Sequence, residues 1–258
     1  MIDVQSSPDP RRIRIDRVGV TDLRYPIKVL ERGGGHQQTI ADIEVAVDLS
    51  PRFRGTHMSR FVEIIDRHCG EELTVFTIPG ILCEVRDILK SKTAEIDIAF
   101  PYFLRKKAPV SGSSGMVNYR CRFHGRLDGA VDFSYGITAP VTSLCPCSKE
   151  ISRYGAHNQR GAVTVDIRSP EGELVWFEEL IDWMESCASA PVHSILKRED
   201  EKFVTEQAFD NPVFVEDIAR GMAQILNSEP RVTWFRIHAK NFESIHNHSA
   251  FASIECTK

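Results

Sequence analysis

Apolar residues follow two kinds of spacing along the chain, and the order in which these spacings occur constrains the fold more than any other feature. Apolar residues alternate at every second position in two segments, then recur at helical spacing, then alternate again in two further segments. This order occurs twice. Strict alternation is typical of a strand with one buried face, and spacing of three and four is typical of an amphipathic helix. Each half of the chain therefore predicts the order strand, strand, helices, strand, strand.

The alternating segments predict eight strands, at residues 23–29, 43–49, 96–100, 117–123, 131–137, 163–167, 232–238 and 251–255. Helical spacing occurs at residues 61–68, 81–89, 176–187 and 214–226. We therefore expect an α+β fold with two ββααββ units, each an antiparallel four-stranded sheet with its helices on one face.

The predicted boundaries follow from the same pattern. Residues 1–17 are rich in Ser, Asp, Pro and Arg and are expected to form a flexible tail. The first unit is expected over residues 18–129, and the second, with most of the site residues, over 130–258. The tail lacks the apolar stretch of a signal peptide, so the expected compartment is the cytoplasm.

Composition excludes several classes of protein. The net charge of −4 provides no basic field to attract nucleic acid. No apolar stretch approaches the ~18 residues of a membrane span. The seven cysteines are an odd, scattered set, which argues against a disulfide scaffold.

The densest group of reactive side chains lies at residues 143–161, between two predicted strands. It contains Cys145, Cys147 and His157. A thiolate and an imidazole suit zinc and other borderline divalent ions. The same residues fit three alternatives: an incidental surface loop, a strained disulfide between Cys145 and Cys147, or Cys145 as a nucleophile activated by His157.

Two further groups carry acid–base or ligand chemistry. The first is a charged run that contains Arg198 and Glu199, for which a solvated surface is the alternative. The second holds Glu243, His246 and His248. Two histidines on one face of a strand can donate protons or contact phosphate or metal, although a polar solvent-exposed face fits the pattern equally well.

Four motifs together resemble the type IB GTP cyclohydrolases. They are Cys145-Pro146-Cys147-Ser148-Lys149-Glu150 with its continuation to Arg160, Leu196-Lys197-Arg198-Glu199-Asp200-Glu201, Phe214-Val215-Glu216-Asp217, and Asn241-Phe242-Glu243-Ser244-Ile245-His246-Asn247-His248. The resemblance runs from about Val18 to the C-terminus. It implies the tunnelling fold, with two tunnelling-fold units in each chain.

The resemblance also implies a reaction and a metal. The family is a hydrolase of cyclic amidines that converts GTP and water to 7,8-dihydroneopterin triphosphate and formate, the first step of tetrahydrofolate synthesis. One divalent ion, Zn²⁺, Mn²⁺ or Fe²⁺, is held by a Cys, a His and a Glu. Carried over by motif, these ligands are Cys145, His157 and Glu199, with Cys147 and Glu201 as the competing choices.

The remaining site residues follow from the same resemblance. Glu216 is the candidate anchor of the purine ring, and Glu243, His246 and His248 are expected to line its pocket. Opening the imidazole ring requires water to attack C8 and a proton for the departing nitrogen, which His246 or His248 could supply. Because the net charge is acidic, the cations for the triphosphate must be local. Lys149 and Arg198 are candidates.

Oligomerisation is the last expectation. Exposed edge strands must be covered or paired, and in tunnelling folds they pair between subunits. We therefore expect a homotetramer whose active sites lie at subunit interfaces.

Two rival functions remain open. One is the nitrile reductase of queuosine synthesis, which shares a Ser-Leu-Cys-Pro segment and would use Cys145 as nucleophile with NADPH. The other is a metal-stabilised interaction module, which needs a closed four-ligand site.

Overall fold

The computed structural model of the protein describes residue 5 and residues 7–70 and 72–258. Residues 1–4 and 6 of the expected tail, and residue 71, lie outside the described part. The strands are β1 (Ile15–Leu30), β2 (His36–Leu49), β3 (Glu72–Leu73), β4 (Thr93–Lys107), β5 (Ser114–Asp128), β6 (Ala130–Leu144), β7 (Asn158–Arg168), β8 (Ala190–Pro191), β9 (Trp234–Asn241) and β10 (Ala250–Thr257). The helices are α1 (Met58–Cys69), α2 (Ile78–Leu89), α3 (Pro146–Ile151), α4 (Phe177–Ser186), α5 (Arg198–Asp210) and α6 (Val215–Ser228).

Two helices were not predicted, and both lie in segments that carry chemistry. Helix α3 begins at Pro146, whose fixed φ suits a first helical turn, and it is only six residues long. Helix α5 has Asp200 and Ala208 as its buried residues. Since α5 buries so little apolar surface, its sequence has no helical hydrophobic period to detect.

The expectation of two separate four-stranded sheets is wrong. The described strands form one ten-stranded sheet in the order β10-β9-β7-β6-β5-β4-β2-β1-β3, with β8 paired to β6. The pairs β1–β2, β2–β4, β7–β9 and β9–β10 are antiparallel, and β1–β3 is parallel. Strands β4, β5 and β6 each span 15 residues, longer than their alternating cores suggest. Alternation identifies strands, but it does not identify their neighbours.

The chain divides into two compact units that interleave along the sequence. One contains residues 1–101 and 122–135, and the other contains residues 102–121 and 136–258. Strands β4, β5 and β6 contribute residues to both. The boundary expected between residues 129 and 130 stays a prediction.

The first unit buries helices α1 and α2. Phe61 and Ile64 of α1 and Leu82 and Val85 of α2 are fully buried. Close packing of α2 requires glycine at position 125 of β5, because a Cβ there would lie 2.8 Å from Leu82 Cδ1. Each such buried aliphatic side chain contributes about 1.5–3 kcal/mol to the hydrophobic driving force.

The second unit positions the candidate site through helix α6. Its buried residues Ile218, Met222 and Leu226 recur at a spacing of four, and the helix contacts β9 and β10. This packing holds the first turn of α6, which contains Glu216.

In the described part of the chain, no helix combines the length and the apolar character that crossing a membrane requires.

Candidate active site

The loop after β6 folds back so that Cys145 and His157 are adjacent. The backbone N–H of Cys145 donates to the carbonyl oxygen of His157 at 3.1 Å. Helix α3 supplies the reversal between them, since Cys145 is its N-cap and the Cys145 carbonyl accepts from the N–H of Lys149 at 3.1 Å. Both Cys145 and Cys147 are free thiols. The local fold therefore brings a thiol and an imidazole together over twelve residues of sequence.

Two hydrogen bonds position His157, one from its backbone and one from its ring. Its backbone N–H donates to Ser148 Oγ at 3.2 Å, and its ring Nδ1 lies 2.9 Å from Oε1 of the buried Gln159. Because an amide oxygen only accepts, Nδ1 carries the proton in this arrangement. The lone pair is then on Nε2, as a metal ligand or proton acceptor requires.

The start of α6 is tied to the end of β6. The N–H of Val213 donates to the carbonyl oxygen of Leu144 at 3.1 Å, and the N–H of Phe214 donates to Asp217 Oδ2 at 3.0 Å. Glu216 lies in the first helical turn with an exposed carboxylate. The Phe-Val-Glu-Asp motif thus combines a helix cap with a carboxylate beside the Cys145 loop.

The segment with the two histidines is a loop between the last two strands, so the two histidines do not share a strand face. Strand β9 ends at Asn241, which pairs with Ala250 of β10, and residues 242–249 connect the two strands. The rings of His246 and His248 stack with centroids 5.1 Å apart and an interplanar angle of 16°. Alternate spacing is therefore also compatible with a loop that stacks its two imidazoles.

These segments enclose one cleft of about 300 Å³ within the second unit. It brings together six of the residues singled out in the sequence, namely Cys145, His157, Glu216, Glu243, His246 and His248. The described lining residues include no Lys or Arg. The cleft thus offers a thiol, three imidazoles and two carboxylates, and it lacks the cations that a triphosphate needs.

Three of the candidate residues lie elsewhere. Lys149 donates to the carbonyl oxygen of Phe209 at the end of α5, and its Nζ lies 4.2 Å from the centroid of that ring. Arg198 and Glu199 are exposed in the first turn of α5. At 1.5 Å per residue, the helix places Glu199 about 15 Å from Phe209. Within the described residues, no group of three His, Cys, Asp or Glu side chains could hold a metal ion.

Asp200, between the two competing glutamates, has a structural role that the sequence did not reveal. Its buried carboxylate accepts from the N–H of Val110 and from the N–H and hydroxyl of Ser111, at 2.9, 2.8 and 2.6 Å. It also accepts from the N–H of Lys197 at 2.8 Å. Burial alone raises the pKa of Asp200, but these hydrogen bonds outweigh it and the pKa lies well below its ordinary value. Asp200 therefore fastens α5 to the β4–β5 connection.

Sequence reasoning also missed a polar chain in the wall of the cleft. Asn241 Nδ2 donates to Ser143 Oγ at 3.0 Å, and Ser143 donates to the carbonyl oxygen of Val213 at 3.0 Å. Asn241 Oδ1 is buried and has no hydrogen-bond partner among the described residues. Leaving a buried acceptor unpaired costs about 1–3 kcal/mol. Gln159 and Asn241 lie within the motifs and Ser143 lies two residues before the first of them, but only their charged and nucleophilic neighbours were singled out.

A family model and full-length sequence relatives show which enzymes this chain resembles. The family model GCHY-1, described as type I GTP cyclohydrolase folE2, matches residues 1–252. The GTP cyclohydrolase FolE2 of Syntrophotalea carbinolica is 52% identical over 255 residues, covering 99% of this chain and 95% of the relative. That of Geobacter sulfurreducens is 50% identical over 258 residues, covering 100% and 99%.

Solved structures with a similar fold are urate oxidases. The enzyme of Bacillus sp. TB-90 has a TM-score of 0.57 at 9% identity, covering 95% of this chain and 100% of that one. The uricase of Arthrobacter globiformis has a TM-score of 0.54 at 9% identity, covering 94% and 93%. The expected tunnelling fold of two four-stranded sheets is therefore corrected to a ten-stranded, mostly antiparallel sheet of the urate oxidase kind. At this identity the likeness concerns the fold alone.

The sequence relatives decide the family, because they match the chain from end to end at about half of its positions. Neither the nitrile reductase nor the interaction module accounts for that match. By its family model and its full-length relatives, the chain belongs to the FolE2 family of GTP cyclohydrolases.

Proposed function

We propose that the chain is a type IB GTP cyclohydrolase, which converts GTP and water to 7,8-dihydroneopterin triphosphate and formate in the first step of tetrahydrofolate synthesis. The observation that carries the proposal is the cleft that unites Cys145, His157 and Glu216 with His246 and His248. Ring opening at C8 of guanine needs an activated water, a group that holds the base and a proton for the departing nitrogen. The cleft contains two of the proposed metal ligands, a carboxylate for the base and two histidines for the proton.

A divalent ion, Zn²⁺, Mn²⁺ or Fe²⁺, is the proposed cofactor. The residues present fit it in part, since the free Nε2 of His157 and the Cys145 thiol are both borderline ligands in one cleft. When bound, such an ion supplies a Lewis acid that lowers the pKa of a water molecule. Glu199 is the proposed third ligand, with Glu201 as the alternative.

The side chains of the cleft perform the remaining chemistry. The Glu216 carboxylate accepts from N1–H and one N2–H of guanine, which fixes the base by a bidentate contact. His246 or His248 donates a proton to the imidazole nitrogen as the C8–N bond breaks. Glu243 lies in the same lining and is proposed to hold the substrate. Hydrolysis of the resulting formyl group releases formate, and the same acid–base groups serve sugar rearrangement and ring closure.

The groups missing from the cleft support sharing of the active site between subunits. Glu199 lies in the first turn of α5 and is not part of the lining, and the described lining residues contain no Lys or Arg for the triphosphate. Strand β10 is a terminal strand of the sheet and has every second residue exposed. We therefore propose a homotetramer in which a neighbouring subunit completes each cleft with Glu199 and with cations, Arg198 among them. Lys149 remains a candidate because it lies in α3, four residues after Cys145.

The proposed function is tested by incubating metal-reconstituted protein with GTP and no NADPH. We expect stoichiometric formate and a product that becomes a fluorescent pterin on oxidation, with all three phosphates retained. Glu216→Gln is the matched control, because it keeps the shape of the side chain and removes the charge. Release of phosphate or pyrophosphate without a pterin would contradict the proposal.

A further inference from the structure

The buried wall of the cleft contains a hydrogen-bond acceptor without a partner in the described part of the chain. Asn241 is 3% exposed, lies at the end of β9 and lines the cleft. Its Oδ1 is buried and is not hydrogen bonded to any described residue. Buried side-chain acceptors in proteins are nearly always paired, so an unpaired one in a ligand cleft indicates a donor on the ligand.

The orientation of this amide follows from its neighbours. Ser143 is 1% exposed, and its hydroxyl proton is given to the carbonyl oxygen of Val213. The Ser143 oxygen can then only accept, so the side chain of Asn241 must present its NH₂ group there, as the 3.0 Å contact shows. The amide oxygen is consequently the end that remains free.

The opposing strand leaves room for this oxygen. Gly161 of β7 pairs with Asn241 across the sheet, and a Cβ on Gly161 would lie 2.9 Å from Asn241 Oδ1. That distance is shorter than a normal carbon–oxygen contact, so a larger residue at position 161 would displace the amide oxygen. Gly161 therefore leaves the space that the amide oxygen occupies, and Ser143 fixes the amide nitrogen.

We infer that Asn241 Oδ1 accepts a hydrogen bond from the exocyclic amine of the guanine base and thereby selects guanine over hypoxanthine nucleotides. The inference rests on the proposed function, in which Glu216 takes N1–H and one hydrogen of the amine. The second amine hydrogen is then the one base donor without a partner. Since the lining has no cation for the phosphates, the base is the part of the substrate that reaches this buried wall.

The test compares GTP with ITP, which lacks only the exocyclic amine. In the metal-loaded enzyme, kcat/KM is measured for GTP, and the inhibition constant of ITP is measured as a competitor in the same assay. Asn241→Leu removes the acceptor at similar volume and should lower kcat/KM for GTP about tenfold, with the inhibition constant of ITP unchanged within about twofold. Gly161→Ala, which displaces Oδ1 without entering the contact, should have the same selective effect.

Ser143→Ala removes the acceptor that fixes the orientation of the Asn241 amide and leaves the amide itself. It should also weaken GTP relative to ITP, but by less than Asn241→Leu. Circular dichroism establishes that each variant is folded, and Asn241→Leu and Gly161→Ala act through different side chains. Equal weakening of GTP and ITP in Asn241→Leu and Gly161→Ala would overturn the inference. So would a loss for GTP that disappears with 2′-deoxy-GTP, since the partner would then be the ribose. Absence of formate from GTP in the unaltered enzyme would instead reject the proposed function.

Discussion

The backbone N–H of Cys145 donates to the carbonyl oxygen of His157, 3.1 Å away, and this bond closes the loop that contains the candidate metal ligands. It sets the two side chains side by side before any metal binds. A preformed pair reduces the conformational entropy lost on binding. It also means that the loop does not need the metal to hold its shape.

The first prediction follows from this preformed loop. Cys145→Ala and His157→Ala should lower metal content from about one ion per chain to near zero without unfolding the protein, because the ligands lie in a catalytic cleft and not in a closed structural site. Elemental analysis beside circular dichroism is the measurement. Cys147→Ala is the control, since Cys147 is exposed and absent from the cleft lining, and it should retain its metal. Full occupancy in both loop variants would remove these residues from the ligand set.

The second prediction concerns Gln159, which accepts from Nδ1 of His157 at 2.9 Å. Gln159→Leu should weaken metal binding by about 10–100-fold, because the imidazole loses the partner that keeps its proton on Nδ1. Gln159→Glu keeps an accepting oxygen and should bind the metal at least as well. Competition with a chromophoric chelator gives both affinities. Equal weakening in the two variants would indicate a packing role for Gln159.

The third prediction tests whether subunits share the site. Cys145 and Glu216 line one cleft of one chain, so mixing Cys145→Ala with Glu216→Ala protein should restore no activity. Mixing Cys145→Ala with Glu199→Ala should restore it, since in a random mixture about a quarter of the clefts obtain both groups from different chains. Activity is measured after mild dissociation and reassociation, with subunit exchange followed by mass labels.

The same mixing experiment has a clear negative result. If Glu199 completes the cleft of its own chain after a rearrangement, the second mixture stays inactive despite proven exchange. A monomer that turns over GTP at micromolar concentration would also contradict the shared site.

The fourth prediction concerns acid stability through Asp200, whose pKa is held well below the unfolded value of about 3.9. Between the two pKa values the unfolded chain binds more protons, so this contribution to stability is present above about pH 4 and is lost as pH falls. Asp200→Asn should lower Tm at pH 7, and its difference from the unaltered protein should shrink between pH 5 and about pH 2. Thermal unfolding followed by circular dichroism measures both. A difference independent of pH would show that the charge of Asp200 is not involved.

The local chemistry of the site could be predicted from the sequence because its motifs are short. Cys145, His157 and Glu216 were chosen by their place in two motifs, and the structure places all three in one cleft. The strands and the amphipathic helices were predictable for the same reason, since alternation and helical spacing depend on near neighbours in the chain. Helix α5 escaped prediction because its buried residues include a charged anchor, Asp200, in place of an apolar face.

Pairing of strands and pairing of polar atoms were decided only by the tertiary structure. A strand pattern is the same whether its neighbour belongs to the same half of the chain or the other, so a single ten-stranded sheet could not be told from two smaller ones. In the same way, the sequence does not show whether the side-chain oxygen of an asparagine is hydrogen bonded. That Asn241 Oδ1 is left without a partner, while its amide nitrogen is bound to Ser143, depends on contacts between residues 98 positions apart. By itself the sequence determined which segments carry reactive groups, and the packing of distant segments decided which of those groups line one cleft.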